Sequence, residues 1–299
     1  MDVVIAYVDG SDPLWQADYA AAVPGRPLAK RFRDWGTLAY LFRGLERHLG
    51  FVERVFLVVA RESQVPAWID RSAVKVVLHR EFIPERFLPL FNASSIELFL
   101  HRIPGLGERF LYFNDDCFPV RDMQEADFFT GGGIATGFTS HRFAANAFQR
   151  KVRKADRLAR AAAGVPPARF YLRPQHTCTP MLRKSSEALF RTLEPSLPSL
   201  VTRVRSEDDV NQYVFTDYLY YSGKALRRRL SCRHFSLAMA TPRRIRAFLR
   251  HPSRNLVCFN DVRMPQRRFL RLQKALLAAL EERFPQPSRF ERVTGPAQV

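Results

Sequence analysis

The 299 residues are 46% hydrophobic and include 25 phenylalanines, which supports a sizeable core and excludes a disordered chain. A formal net charge of +18, mostly arginine and concentrated after about Arg142, favours anionic partners: nucleotide phosphates, an anionic polymer, nucleic acid or an anionic membrane face. The four cysteines (Cys117, Cys178, Cys232, Cys258) form no C-x-x-C pair, which argues against structural zinc, and no apolar run reaches the ~18 residues of a spanning helix.

Residues 3–8 open the chain as a buried strand, without the basic and apolar segments of a secretory signal. A cytoplasmic protein is therefore expected, with a peripheral contact at the anionic inner membrane face left open. The strand ends in the turn Asp9-Gly10-Ser11-Asp12-Pro13. Residues 37–48 carry apolar side chains at a helical period, 55–59 and 74–78 read as strands, and 94–101 as a helix. A fourth strand, 110–113, runs straight into Asn114-Asp115-Asp116. Strand–helix alternation predicts an α/β fold around a mostly parallel sheet, in which ligands bind at the carboxyl ends of the strands. Asp9, Asp12, Asp115 and Asp116 all fall at such ends.

The Ala- and Arg-rich stretch of about 142–170 reads as a helical insertion within one catalytic unit spanning 1–299, and about 264–285 as a C-terminal amphipathic helix. Such a basic helix suits docking on the sheet better than lying on a membrane.

Several patterns can carry chemistry. Adjacent carboxylates at a strand end, Asp115 and Asp116, suit a hard divalent cation beside diphosphate oxygens, or else cap a turn. Gly10 allows close backbone approach; ahead of a helix, Arg33 suits clamping a phosphate, and Asp34 suits either an N-cap or a partner to a base or ribose. His101 closes a predicted helix, where a satisfied terminal histidine is the default. His176 lies in a Pro-flanked loop, and an unperturbed imidazole titrates near neutrality, which suits a general base or acid. Arg203 and Arg205, two apart on an extended segment, share a side. Asn260-Asp261 repeats the strand-then-Asn-Asp arrangement of Asn114-Asp115.

In this order the segments resemble the Stealth family of hexose-1-phosphate transferases. Val8-Asp9-Gly10-Ser11-Asp12-Pro13-Leu14-Trp15 is similar to its first region. The second is longer: Arg31-Phe32-Arg33-Asp34-Trp35-Gly36, then Leu88-Pro89-Leu90-Phe91-Asn92, Glu97, His101 and Tyr112-Phe113-Asn114-Asp115-Asp116. His176 with Pro180, Arg183 and Ser185, followed by Arg203-Val204-Arg205-Ser206 and Asp209, resembles the third. Asn260-Asp261 resembles the fourth. Tyr7, Trp35 and Thr177-Cys178-Thr179 depart from the family pattern, which bears on donor or acceptor choice.

The resemblance implies a Rossmann-like, glycosyltransferase-A-related fold that passes hexose-1-phosphate from a nucleotide-sugar donor to a hydroxyl of a glycan acceptor, in capsule or cell-surface polysaccharide synthesis. It implies catalytic roles for His176, Asp116, Arg203 and Arg205. Asp9, Gly10, Asp12, Arg33, Asp34, Asn92, His101 and Asn114 would bind substrate. Asp115, Asp116, Asn260 and Asp261 would hold Mg2+ or Mn2+. The competing enzymatic reading is a metal-dependent glycosyltransferase that attacks the anomeric carbon and releases nucleoside diphosphate. Nucleic acid is not an expected partner, because no zinc finger or RNA-binding aromatic signature is present.

Overall fold

The computed structural model describes residues 1–25, 32–207 and 209–292, so Arg31 of the second motif lies outside the described residues. Its centre is a five-stranded sheet built from β1 (Asp2–Ala6), β2 (Arg54–Val59), β3 (Val74–Leu78), β4 (Arg109–Asn114) and β10 (Thr179–Leu182), in the order β10-β4-β1-β2-β3. β1, β2, β3 and β4 are parallel, and β10 runs antiparallel to β4. Both faces are covered, so the strands read as apolar runs that divide by alternation. Val3, Ile5, Leu57 and Phe113 enter one core, with Leu41, Phe42 and Leu45 of helix α2 (Leu38–His48). Val4, Phe56, Val58 and Tyr112 enter the other, with Phe99 and Phe215.

Strand order reverses between β1 and β4, which opens a crevice at their carboxyl ends. Two smaller β units converge on it. β5 (Cys117–Pro119) follows the acidic pair and lies antiparallel to β13 (Leu256–Asn260), with Cys258 opposite Cys117, and β12 (Cys232–Ser236) extends this sheet. The ribbon of β8 (Phe138–His141) and β9 (Tyr171–Pro174) leads into His176.

The stretch read as a helical insertion is helical only over Ala147–Ala162, between these two strands. Asn146 caps that helix by accepting from Gln149 N, and Gly164 at φ +68° turns the chain out of it. Residues 94–101, read as one helix, break into a short helix Ala93–Glu97 and a 3-10 turn Leu100–Arg102. The C-terminal helix Gln266–Arg283 buries Phe269, Leu272, Leu276 and Leu280, of which Leu276 and Leu280 join the first core. Among the described residues no helix is long and apolar enough to cross a membrane.

One buried acid bears on stability. Asp217, in the helix Tyr213–Tyr221, is fully buried with neither carboxylate oxygen hydrogen-bonded. Burial first, then the charge of Asp156, raises its pKa well above the carboxylate range. The folded chain therefore keeps a proton that the unfolded chain releases above about pH 4, and Asp217 contributes less to stability as pH rises from there toward its folded pKa. Asp217→Asn is expected to match the wild type at about pH 4 and to exceed its Tm by at least ~2–4 °C at about pH 8.5. A variant that loses ground to the wild type as pH rises would contradict this assignment.

Candidate active site

The crevice widens into a cavity of about 500 Å³ lined by Tyr7 and Val8 after β1, Asn114, Asp115 and Asp116 after β4, and His176, Arg205 and Asn260. An adjoining recess of about 310 Å³ shares Asp115, Asp116, Arg205 and Asn260 and adds Arg33 and Asp261. Each group arrives by a traceable local cause. β4 ends as its chain turns into β5, and Phe259 N donates to Asp116 O at 2.9 Å, so the β13–β5 pairing sets Asn260 beside the acidic pair. His176 is held by its own carbonyl, which accepts from His234 Nε2 at 2.5 Å. Its predecessor Gln175 is fixed by Gly137 O at 2.8 Å and by Leu230.

The acids are crowded. Burial, then the neighbouring charges of Asp116 and Asp34, pushes Asp115 up to about 7. Asp116 Oδ1 is buried without a hydrogen-bond partner. Its Oδ2 accepts from Cys258 Sγ at 3.4 Å and lies 3.9 Å from His176 Nε2. Burial opposes the imidazolium of His176, yet the Asp116 carboxylate outweighs it and raises the histidine above its ordinary value. One donor atom each from Asp116, His176 and Cys258 fall within 4.8 Å of one another. The orphaned Asp116 oxygen and the uncompensated charge that raises Asp115 are what a divalent cation would relieve, so the two carboxylates fit one.

Arg205 rides on a strap, residues 201–207, that is fastened on both sides. Asn92 is fully buried; its Oδ1 accepts from Ser94 N, and its Nδ2 donates to Thr202 Oγ1 at 3.0 Å. Asp209, also fully buried, accepts from Thr202 Oγ1, from Ser206 N at 3.1 Å and from Lys151 Nζ at 2.6 Å. Asn92 thus positions the strap and does not line the cavity.

Other expected site residues serve the frame. Asp9 Oδ1 accepts from Ser11 N and Oγ in a tight turn, and Asp12 caps helix Pro13–Ala22 while accepting from Ser63 Oγ at 2.6 Å. Gly10 packs on Phe32, whose carbonyl accepts its N–H at 2.7 Å and would lie 2.3 Å from an added Cβ. Its permissive role is toward the protein's own loop. Asp34 accepts from Tyr7 Oη at 3.1 Å and from Gly36 N at 2.8 Å. Arg33 grips Asp261 bidentately, at 2.7 and 2.9 Å, and stacks on Phe269. That clamp joins two expected ligands of different kinds, and it occupies Asp261.

Two expectations are corrected. His101 is buried against Phe190 at 4.7 Å, and burial lowers its pKa to about 4, so it is a neutral core histidine outside the cavity. Arg203 does not join Arg205: the strap bends at residues 203–204, the i,i+2 rule for extended chain fails, and Arg203 lines outer recesses instead. Conversely, Glu97, Phe148, Lys151, Arg173 and Tyr213 line the cavity without having been singled out for it. Glu97 stood inside the second motif, and its buried carboxyl accepts from Tyr112 Oη and Gln212 N, both at 3.2 Å.

Sheet and cavity together define an α/β protein with a cavity at the strand-order switch of a mostly parallel sheet. Residues 31–136 match the Stealth protein CR2, conserved region 2. A capsular polysaccharide phosphotransferase from Actinobacillus suis is 30% identical over 257 residues, covering 79% of this chain and 69% of that protein. The receptor polysaccharide phosphotransferase WefC from Streptococcus oralis is 42% identical over 143 residues, 45% of this chain and only 42% of its own length. The chain belongs to the Stealth family. Among solved structures, the glycosyltransferase GlyE of Streptococcus pneumoniae TIGR4 covers 96% of this chain and 65% of its own, with a TM-score of 0.41 at 13% identity. The galactosyltransferase LgtC covers 92% and 96%, with a TM-score of 0.38 at 11% identity.

Proposed function

We propose that the chain is a sugar-phosphate transferase that moves hexose-1-phosphate from a nucleotide sugar to a glycan hydroxyl, forming a phosphodiester and releasing nucleoside monophosphate. The observation that carries this reading is the convergence of Asp115, Asp116, His176 and Arg205 on one cavity at the strand-order switch. The relatives' names, polysaccharide phosphotransferases, support the same reaction class.

In this reading the nucleotide lies across the carboxyl end of β1, in contact with Tyr7 and Val8, and its diphosphate points to Asn114 and the acidic pair. Asp115 and Asp116, with Asn260 close by, would hold Mg2+ or Mn2+, which supplies charge neutralisation at the diphosphate. His176 takes the proton of the acceptor hydroxyl, and the Asp116 carboxylate, 3.9 Å from its Nε2, stabilises the resulting imidazolium. The acceptor oxygen then bonds to the phosphorus that carries the hexose, and the bond from that phosphorus to the oxygen bridging to the nucleoside phosphate breaks. The electron pair leaves on the nucleoside monophosphate. Arg205 supplies fixed positive charge to the phosphoryl oxygens, and the Asn92 and Asp209 fastenings spare it reorganisation during the step. Arg33 keeps Asp261 neutralised, which limits the negative charge facing the donor.

Phosphorus NMR of the glycan product tests the bond that is made. A diester resonance that resists phosphatase, in glycan recovered after incubation with nucleotide sugar and Mg2+, is the expected result. A product free of phosphorus would sink the proposal.

A further inference from the structure

The cavity also carries an exposed aromatic ring that neither the core nor the transfer step uses. Phe148, in the first turn of helix Ala147–Ala162, lines the cavity and is 43% exposed. That helix packs through Val152, Ala155 and Ala159, so its attachment does not require a phenylalanine at 148. Exposed apolar area of this kind is left unburied at about 25 cal/mol per Å², which gives no folding reason for it. The ring is nonetheless held in place. Tyr213 meets it edge-on at 6.4 Å, and the Arg173 guanidinium lies 5.2 Å from its centroid.

A part-exposed ring backed by a guanidinium over one face suits a flat ligand with an apolar face and a polar rim. A pyranose, with its C–H face and hydroxyl edge, has that form; so does a nucleobase. Position separates them. The strand-order rule places the nucleotide between the ends of β1 and β4, at Tyr7 and Asn114. Phe148 and Arg173 come from the helix and ribbon outside the parallel strands, on the ribbon that leads into His176, the group assigned to the acceptor hydroxyl. Both also lie beyond the matched residues 31–136.

We infer that Phe148 and Arg173 form the acceptor-sugar subsite: a pyranose ring of the glycan acceptor stacks on the face of Phe148 away from Arg173, while the guanidinium over the other face holds the aromatic ring and attracts acidic substituents of the glycan. This rests on the transferase reading of the cavity. It places acceptor choice in residues 142–174, apart from the carboxylates and imidazole that perform the transfer.

The test compares wild type, Phe148→Ala and Phe148→Tyr in two calorimetric titrations. The probes are glycan fragments released by mild acid from the surface polysaccharide of the cells that encode the chain, and a panel of UDP, GDP and CDP. Glycan affinity is expected to fall about tenfold in the alanine variant and to return to within about threefold in the tyrosine variant, with nucleotide affinity the same within about twofold throughout. Loss of nucleotide affinity in Phe148→Ala would make the ring a base platform and overturn the inference. Glycan affinity untouched by the alanine, or fragments that fail to bind the wild type, would overturn it as well. Because both titrations read binding, glycan loss seen in a protein that forms no phosphodiester would refute the transferase reading while leaving the subsite standing.

Discussion

Asp116→Asn is expected to lower kcat by roughly a thousandfold while leaving the Tm unchanged or raised by ~2 °C. The substitution keeps shape and one acceptor oxygen for Cys258 Sγ, so packing is preserved. It removes a charge that has no hydrogen-bonded partner on Oδ1 and that helps hold Asp115 up at about 7. Folding therefore gains slightly from relieved repulsion, and the transfer step loses both the anionic ligand for a cation and the carboxylate behind His176. The two effects have opposite signs, which is what distinguishes a functional carboxylate from a structural one. Turnover by single-turnover nucleotide release, together with thermal melting, checks both. A variant with wild-type kcat, or one that melts well below the wild type, would show that Asp116 serves the fold.

The second large effect is at His176. Truncation to alanine is expected to cost ~10²–10⁴ in kcat, the range for a lost general base, with donor affinity little changed. The ring is half-buried, faces Asp116 at 3.9 Å and stacks on His234 at 6.1 Å, while its backbone carbonyl anchors His234. The alanine variant retains that carbonyl, so the loop is expected to keep its course. Free imidazole added to His176→Ala should restore part of the rate by entering the vacated space, which a purely structural histidine would not allow. Undiminished turnover in the alanine variant would remove His176 from the chemistry.

Much of the sheet was legible because its strands obey local rules. Apolar runs bounded by Asp- and Gly-bearing turns gave β1, β2, β3 and β4 to within a residue or two at each end, and the Asp115-Asp116 pair declared itself by standing directly after one of them. Local pattern did not reveal where side chains go once loops meet. Asn92 and His101 look like functional polar residues in sequence, yet one is consumed by fastening the strap and the other by a core of phenylalanines. Arg203 and Arg205 were expected together by strand alternation; a bend, invisible to periodicity, parts them.

The converse holds for Cys258. It reads as one of four scattered cysteines, and only the β13–β5 register brings its thiol to Asp116. Phe148 and Lys151 belong to a stretch, about 142–170, that reads as a helical insertion, and Arg173 lies just beyond it. Lys151 meets the buried Asp209 at 2.6 Å, a pairing across 58 positions that no spacing rule reaches. Cavity residues at the strand ends are legible in the sequence, and those delivered by contacts distant in sequence are not.

The most direct measurement identifies the nucleotide released when the purified protein meets nucleotide sugars, Mg2+ and a glycan acceptor. Acceptor-dependent nucleoside monophosphate is the predicted product, because attack falls on the phosphorus that carries the hexose. Acceptor-dependent nucleoside diphosphate would mean attack on the anomeric carbon and would contradict the account at its centre.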